Sequence, residues 1–209
     1  MLKKTQISII NLFRKNIFLR KTIREISLLL KKDYPNTYNA IMELEKEGLI
    51  KIEKVGNSKV CFIELNKKTT SFLSFLDEQE AISANIPTMD KIIGTKEFNE
   101  DIILVAGSYV LGKQTKTSDL DLVIITKEKA FEKQKLLENL TSLIIPKVHC
   151  LVFTYKDFID MLLDKEPNFG KEIFNKRLIF KNTSRYYDLI NEAITNGFRN
   201  STLSTKGRR

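Results

Sequence analysis

Residues 107–125 read Gly-Ser-Tyr-Val-Leu-Gly-Lys-Gln-Thr-Lys-Thr-Ser-Asp-Leu-Asp-Leu-Val-Ile-Ile, and few folds can accommodate that string. The apolar run 101–106 precedes it, so the pattern is a buried strand, a Gly-Ser turn, a polar spacer and a second apolar strand that opens on Asp119 and Asp121. On a strand, positions i and i+2 share a face. Asp is a poor strand former, and two carboxylates ~5 Å apart repel by about 3 kcal/mol at an effective dielectric of ~20. A divalent cation between them reverses the sign of that term. Gly107 lets the backbone approach a ligand with no Cβ in the way. Ser108 adds a hydroxyl and an amide, and a helix starting there would turn its N–H groups and dipole toward phosphate. Lys113 in the spacer is a phosphate contact or part of a solvated loop, and Ser118 is a ligand contact or a turn cap. Read alone, the two aspartates also suit a strand-opening turn in which each bonds local amides. Read with the turn, they suit a metal site beside a phosphate-binding bend.

The spacing adds a resemblance. Gly107-Ser108, ten residues (109–118) and then Asp119-x-Asp121 resembles the signature of the minimal nucleotidyltransferases, relatives of the DNA polymerase beta superfamily. The resemblance extends over residues 75–182. It implies a small mixed-sheet domain with flanking helices, a magnesium or manganese ion on Asp119 and Asp121, and a nucleoside triphosphate substrate, foremost ATP. Gly107, Ser108, Lys113 and Ser118 would contact that nucleotide. The family usually takes a third carboxylate from the next strand. Here that strand, Lys147-Val148-His149-Cys150-Leu151-Val152-Phe153, has none. His149, the only histidine, stands about where the carboxylate would be. Imidazole is a weaker magnesium partner than oxygen, so His149 is either a general base, its ordinary pKa being near 6.5, or a structural residue. Asp157 and Asp160 lie past the strand.

The first third of the chain has a different character. Residues 1–67 hold 14 Lys and Arg against 7 Asp and Glu, whereas residues 68–209 hold 21 against 19. Nearly all of the net charge of +9 therefore sits in the N-terminal part, which points to a polyanionic partner. Apolar residues recur at helical period over 5–15. Thr22-Ile23-Arg24-Glu25 is a capping box opening a helix over 23–30. Pro35 suits the first turn of a third helix, which ends near Gly48. Two apolar–polar strands, 50–54 and 59–63, flank a Gly56-Asn57 turn.

Three helices and a hairpin, in that order, resemble the winged helix-turn-helix domains of small prokaryotic regulators. The resemblance implies that the helix from Pro35 enters the major groove by Asn36, Thr37 and Asn39. Lys31, Lys32, Lys54 and Lys59 would meet phosphates. Glu43, Glu45 and Glu47 make the end of that helix acidic and should tilt it away from DNA. A winged helix used only for dimerisation or protein contact is the competing reading.

The resulting architecture is α+β: a winged helix over 1–67, a linker at 66–70, a nucleotidyltransferase-fold domain over 72–199 and a basic tail over 200–209. A helix over 73–93, broken or kinked at Pro87, leads into the strand 101–106. A helix over 127–143 separates the second strand from the third at 148–154. Helices over 158–163 and 169–176, a short strand near 178–180 and a helix over 186–198 complete the pattern. No apolar run reaches the ~20 residues a bilayer requires, and the basic start is not followed by a signal-peptide apolar core. Cytoplasmic residence is the default, and Cys61 and Cys150 should be buried thiols rather than a disulfide.

Three functions are compatible with these features. The first is a metal-dependent transferase that moves NMP from an NTP to a hydroxyl of a protein or nucleic acid, brought to DNA by its winged helix. Related minimal transferases act as antitoxins that add AMP to a separate all-helical toxin protein. This chain lacks the Arg-x(4–6)-His signature of such ribonucleases, so the toxin would be another protein. The second is a DNA-binding regulator whose degenerate transferase domain only senses nucleotide; winged helices commonly work as dimers on two half-sites, so a homodimer is an expectation of this reading. The third, a transferase acting on a small molecule such as an antibiotic, leaves the basic N-terminal part without a role.

Overall fold

The structure, a computed structural model, describes residues 2–86, 88–112 and 118–199. The chain divides into two compact units, one within Met1–Leu73 and one over Ser74–Arg199. Pro87 and Lys113 lie outside the described residues.

The first unit contains α1 (Lys4–Lys15), β1 (Lys21–Thr22), α2 (Ile23–Leu29), α3 (Tyr34–Lys46), β2 (Lys51–Val55) and β3 (Ser58–Phe62). Its sheet has the order β1-β3-β2, antiparallel throughout. This is the helix, helix, helix, hairpin order of a winged helix. The capping box forms as the sequence dictates: the Thr22 hydroxyl accepts from the Glu25 amide at 3.2 Å, and the Glu25 carboxylate accepts from the Thr22 amide at 2.8 Å. Lys21, the Thr22 amide and the Thr22 hydroxyl together hold the Glu25 carboxyl down to about 2. The third helix begins one residue ahead of Pro35, because the Asp33 side chain accepts from the Asn36 amide at 2.9 Å and caps it. Ile9, Phe13, Ile26, Ile41 and Leu44 are fully buried and form the core.

Glu43 and Glu47 have partners within this unit. Glu43 binds Lys3 and Gln6 of α1, and Glu47 binds Lys68. These acids therefore tie helices together, a use the sequence pattern did not show.

The segment read as a linker is helical. The Asn66 side chain accepts from the Thr69 amide at 3.0 Å, an N-cap that starts α4 (Lys67–Ala84). A separate short α5 (Met89–Ile93) follows. Asn85 and Thr88 adopt left-handed φ of 46° and 68°, which ends one helix and precedes the other, so of the break or kink expected near Pro87 it is the break that occurs.

The second unit is built on a mixed sheet. Its strands are β4 (Ile102–Ala106), β5 (Leu120–Thr126), β6 (Val148–Thr154) and β7 (Leu178–Lys181), in the order β6-β5-β4-β7. β5 pairs antiparallel with β4 and parallel with β6. A parallel neighbour needs a crossover, and α6 (Ala130–Thr141) supplies it. Three helices follow β6: α7 (Tyr155–Leu163), α8 (Phe169–Asn175) and α9 (Thr183–Thr195). α7 begins earlier than its apolar pattern suggests because Thr154 and Asp157 form a second capping box. α9 likewise begins three residues early, just after Asn182 in the left-handed region.

The central strands are covered on both faces. Ile103, Val105, Leu120, Leu122 and Ile124 pack with Met89, Ile92 and Leu137 on one side. On the other, α7 lies against β5 and β6, and α9 against β4. Full burial of an aliphatic or phenyl side chain contributes about 1.5–3 kcal/mol. Cys61 and Cys150 are buried free thiols. Among the described residues, no helix is long and apolar enough to cross a membrane.

Two buried polar clusters lock the elements. Asp101, 1% exposed, sits just ahead of β4 rather than within it, and both of its oxygens bind Lys133 Nζ of α6, at 2.8 and 2.6 Å. Lys133 also donates to the Thr126 hydroxyl. In the second cluster, Tyr187 donates to buried Asp77, and Arg177 lies 4.5 Å from the Tyr186 ring centroid. Burial raises both tyrosine hydroxyls, that of Tyr187 well above its ordinary range. Removing one member of a buried pair leaves the other charge uncompensated. Lys133→Met is expected to destabilise this unit by about 3–5 kcal/mol, read as a lower urea midpoint at unchanged slope.

Candidate active site

The register of three strands builds the site. In the β4–β5 ladder Asp121 faces Ala106, and in the β5–β6 ladder it faces His149. Alternation along β5 puts Leu120 and Leu122 into the core and Asp121 on the opposite face. β4 then ends at Gly107, which turns at φ 71°, a conformation that disfavours any residue with a Cβ.

The close approach is as demanding as the turn. A Cβ built on Gly107 would lie 2.0 Å from Asp121 Oδ2, so the carboxylate occupies the space glycine leaves open. The other oxygen, Oδ1, lies 3.1 Å from His149 Nδ1. Asp121 is 29% exposed and His149 58%, so the carboxylate is held on two sides and still reaches solvent. Asp119 is exposed, one residue ahead of β5.

Ser108 is half-buried in a short 3-10 turn, Gly107–Leu111, that closes at Gly112 with φ 61°. The expected helix start after Gly107 is thus a single tight turn. The Tyr109 hydroxyl donates to the Ser118 carbonyl at 3.5 Å, joining that turn to the approach of β5.

Beside these residues lies a cleft of ≈ 460 Å³. One wall is the strand end, with Gly107 and Asp121. The other is α8 and the residue after it, with Phe169, Glu172, Asn175 and Lys176. No sequence motif marks these four. Their spacing within a helix that buries Ile173 and Phe174 marks an outward face, but nothing local says which end of the sheet that face meets. No cluster of three or more His, Cys, Asp and Glu able to hold a metal occurs among the described residues, so Asp119, Asp121 and His149 do not together form one.

In the first unit the expected nucleic-acid contacts divide. Lys31, Asn36, Asn39, Lys54 and Lys59 are exposed, and Lys32 is half-buried. Thr37 is not available: it is 0% exposed, and its hydroxyl donates to the Asp33 carbonyl at 2.8 Å. Its place one turn into α3, on the side facing the core, corrects its assignment as a groove contact. Asn36 donates its side-chain amide to Asp33 at 2.8 Å, so one of its two side-chain N–H donors serves the cap. Lys59 of the hairpin rests on half-exposed Tyr38, with its ammonium 3.0 Å from the hydroxyl and 5.1 Å from the ring centroid. A smaller cleft of ≈ 350 Å³ runs here, lined by Arg24, Tyr34, Tyr38, Asn57 and Lys59 among others. Arg24 and Tyr34 carried no assignment from sequence.

Comparison with known proteins bears on the second unit. A family model described as a nucleotidyltransferase domain matches residues 91–191, the stretch that holds the strand end, the Gly-Ser turn and α8. That match supports nucleotidyl transfer as the general chemistry. A solved structure, that of MepR, a transcription regulator of the Staphylococcus aureus multidrug efflux pump MepA, aligns with 44% of this chain and 70% of its own, at 18% identity and a TM-score of 0.35. That likeness is too slight to carry an argument. No curated protein matches this chain significantly.

Gly107→Ala tests the seat of the carboxylate. The added methyl must displace Asp121 and strain the turn, and the strain alone costs about 1–2 kcal/mol. Denaturant titration should show a loss of at least that size with cooperative unfolding retained.

Proposed function

We propose that the second unit is a metal-dependent nucleotidyltransferase that moves NMP from an NTP, foremost ATP, to a hydroxyl of a protein or nucleic-acid acceptor, and that the first unit binds DNA. The observation that carries this reading is the Asp121 carboxylate seated over Gly107 at the mouth of the cleft, with Asp119 two residues before it.

The donor set fits a hard cation. Magnesium is commonly bound by one or two carboxylates together with substrate phosphates rather than by an all-protein cage, so Asp119 and Asp121 would hold the ion with a triphosphate supplying the remaining oxygens. The ion would neutralise the triphosphate and lower the pKa of an attacking hydroxyl. Gly107 and Ser108 offer backbone and hydroxyl to the phosphates. His149 donates Nδ1–H to Asp121 Oδ1 and orients the carboxylate, as a group behind a metal ligand does.

A separate helical toxin protein and cellular RNA are the acceptors to try. Incubation with labelled NTPs and magnesium should give label on an acceptor with the wild-type chain and none with Asp119→Ala or Asp121→Ala. His149→Ala should lower the rate by about 10–100-fold. Transfer by Asp121→Ala at the wild-type rate sinks the reading. The histidine in place of a third carboxylate favours a second reading, a regulator that senses nucleotide. Nucleotide binding with no transfer to any acceptor would select it.

For the first unit, Lys54 and Lys59 on the hairpin and Lys31 and Lys32 before α3 are the phosphate contacts, and Asn39 is the exposed groove contact on α3. Fluorescence anisotropy on duplex DNA should show affinity falling steeply with salt. Lys54→Ala and Lys59→Ala should each reduce the slope of log K against log salt by about 1. An unchanged slope in the double variant would remove the wing from the interface.

A further inference from the structure

The strand end accounts for only one wall of the cleft. The other wall, α8, is fixed in place. Gly170 is buried, and a Cβ on it would lie 2.6 Å from Met161 Cβ of α7, so the two helices are in direct backbone-level contact. The Asn168 side chain accepts from the Lys171 amide at 3.2 Å and donates to the Met161 carbonyl at 2.7 Å, which pins the start of α8 to α7. The Phe169 ring packs 6.1 Å, centroid to centroid, from Phe153 of β6.

Along this fixed wall the cleft-lining groups change character in order. Phe169 offers an aromatic surface, Glu172 a carboxylate, Asn175 an amide and Lys176 an ammonium. At ~1.5 Å of rise per residue the row is about 10 Å long. A carboxylate accepts hydrogen bonds and an ammonium only donates them. A ligand that satisfies the row therefore has a flat ring and hydrogen-bond donors at one end and anionic oxygens at the other.

We propose that α8 is the wall that selects and orients the nucleotide. Phe169 and Glu172 take the nucleoside, Glu172 accepting from a ribose hydroxyl or a base amino group, and Lys176 takes the phosphates opposite Asp121 and Gly107. This rests on the transferase reading and deepens it: the strand end carries the chemistry, and α8 decides which nucleotide is presented and in which direction. The Glu172 charge repels a phosphate placed at the nucleoside end, so the reversed pose is disfavoured.

The test is calorimetric titration of the full chain with ATP, GTP, CTP, UTP and AMP in the presence of magnesium. Lys176→Met should weaken the triphosphates about tenfold, the loss of one charge-assisted hydrogen bond, and AMP much less. Glu172→Gln and Phe169→Leu should alter the ratio of dissociation constants among the four triphosphates. Thermal unfolding at the wild-type temperature establishes that each variant is folded, and Lys176→Arg should restore triphosphate affinity to a folded but weakened site. Wild-type affinities and wild-type base ranking in all three variants overturn the proposal. If Asp121→Ala then still abolishes label transfer, the transferase reading survives without it. A wild-type chain that binds no nucleotide overturns both.

Discussion

A carboxylate occupying the volume of a missing methyl group is the constraint on which the site depends. Asp121 Oδ2 can lie where it does only because residue 107 has no Cβ, and residue 107 can turn as it does only because it is glycine. The β4–β5 register then does the rest. It stops β4 opposite Asp121, so the turn begins where the acid stands. A slip of one residue would invert every side chain of β5, driving the acid into the face where Leu120 and Leu122 now pack. The apolar residues of β5 thus hold the acid outward by their own burial.

The parallel strand completes the arrangement. β6 brings His149 level with Asp121, at a position where a carboxylate would have placed a further negative charge beside it. An imidazole there has the opposite effect, since its N–H can donate to the acid. The acid is therefore held by a donor on one side and by an absent side chain on the other. Asp119, free of that confinement, is the more exposed of the two.

Much of this was legible in the chain. The Gly-Ser turn, the spacer and the two aspartates marked the strand end, because period-two alternation is local. The capping box of Thr22 and Glu25, and the placement of Pro35, marked two helix starts for the same reason. What escaped was equally local in form but ambiguous in meaning. Asn66 and Thr69 read as a polar linker and are a cap. Thr37 read as a groove contact and is core, because a helix position one turn in faces whichever neighbour the fold supplies. Pro87 signalled the helix break, but Asn85 and Thr88, left-handed without being glycine, gave no sign of how the backbone makes it. Asp101 read as the first residue of a strand, and Lys133, the partner of its buried carboxylate, lies 32 positions away.

The sequence by itself determined the chemistry offered at the strand end: two acids, a glycine with no side chain to obstruct them, and no third carboxylate on the neighbouring strand. It also determined where the positive charge lies. Only the tertiary structure decided what those groups face. The seating of Asp121 on Gly107, its contact with His149 and the second wall on α8 all join residues distant in the chain. Such contacts are set by sheet register and helix packing, which depend on the burial of many apolar side chains at once and leave no signature in any single stretch of sequence.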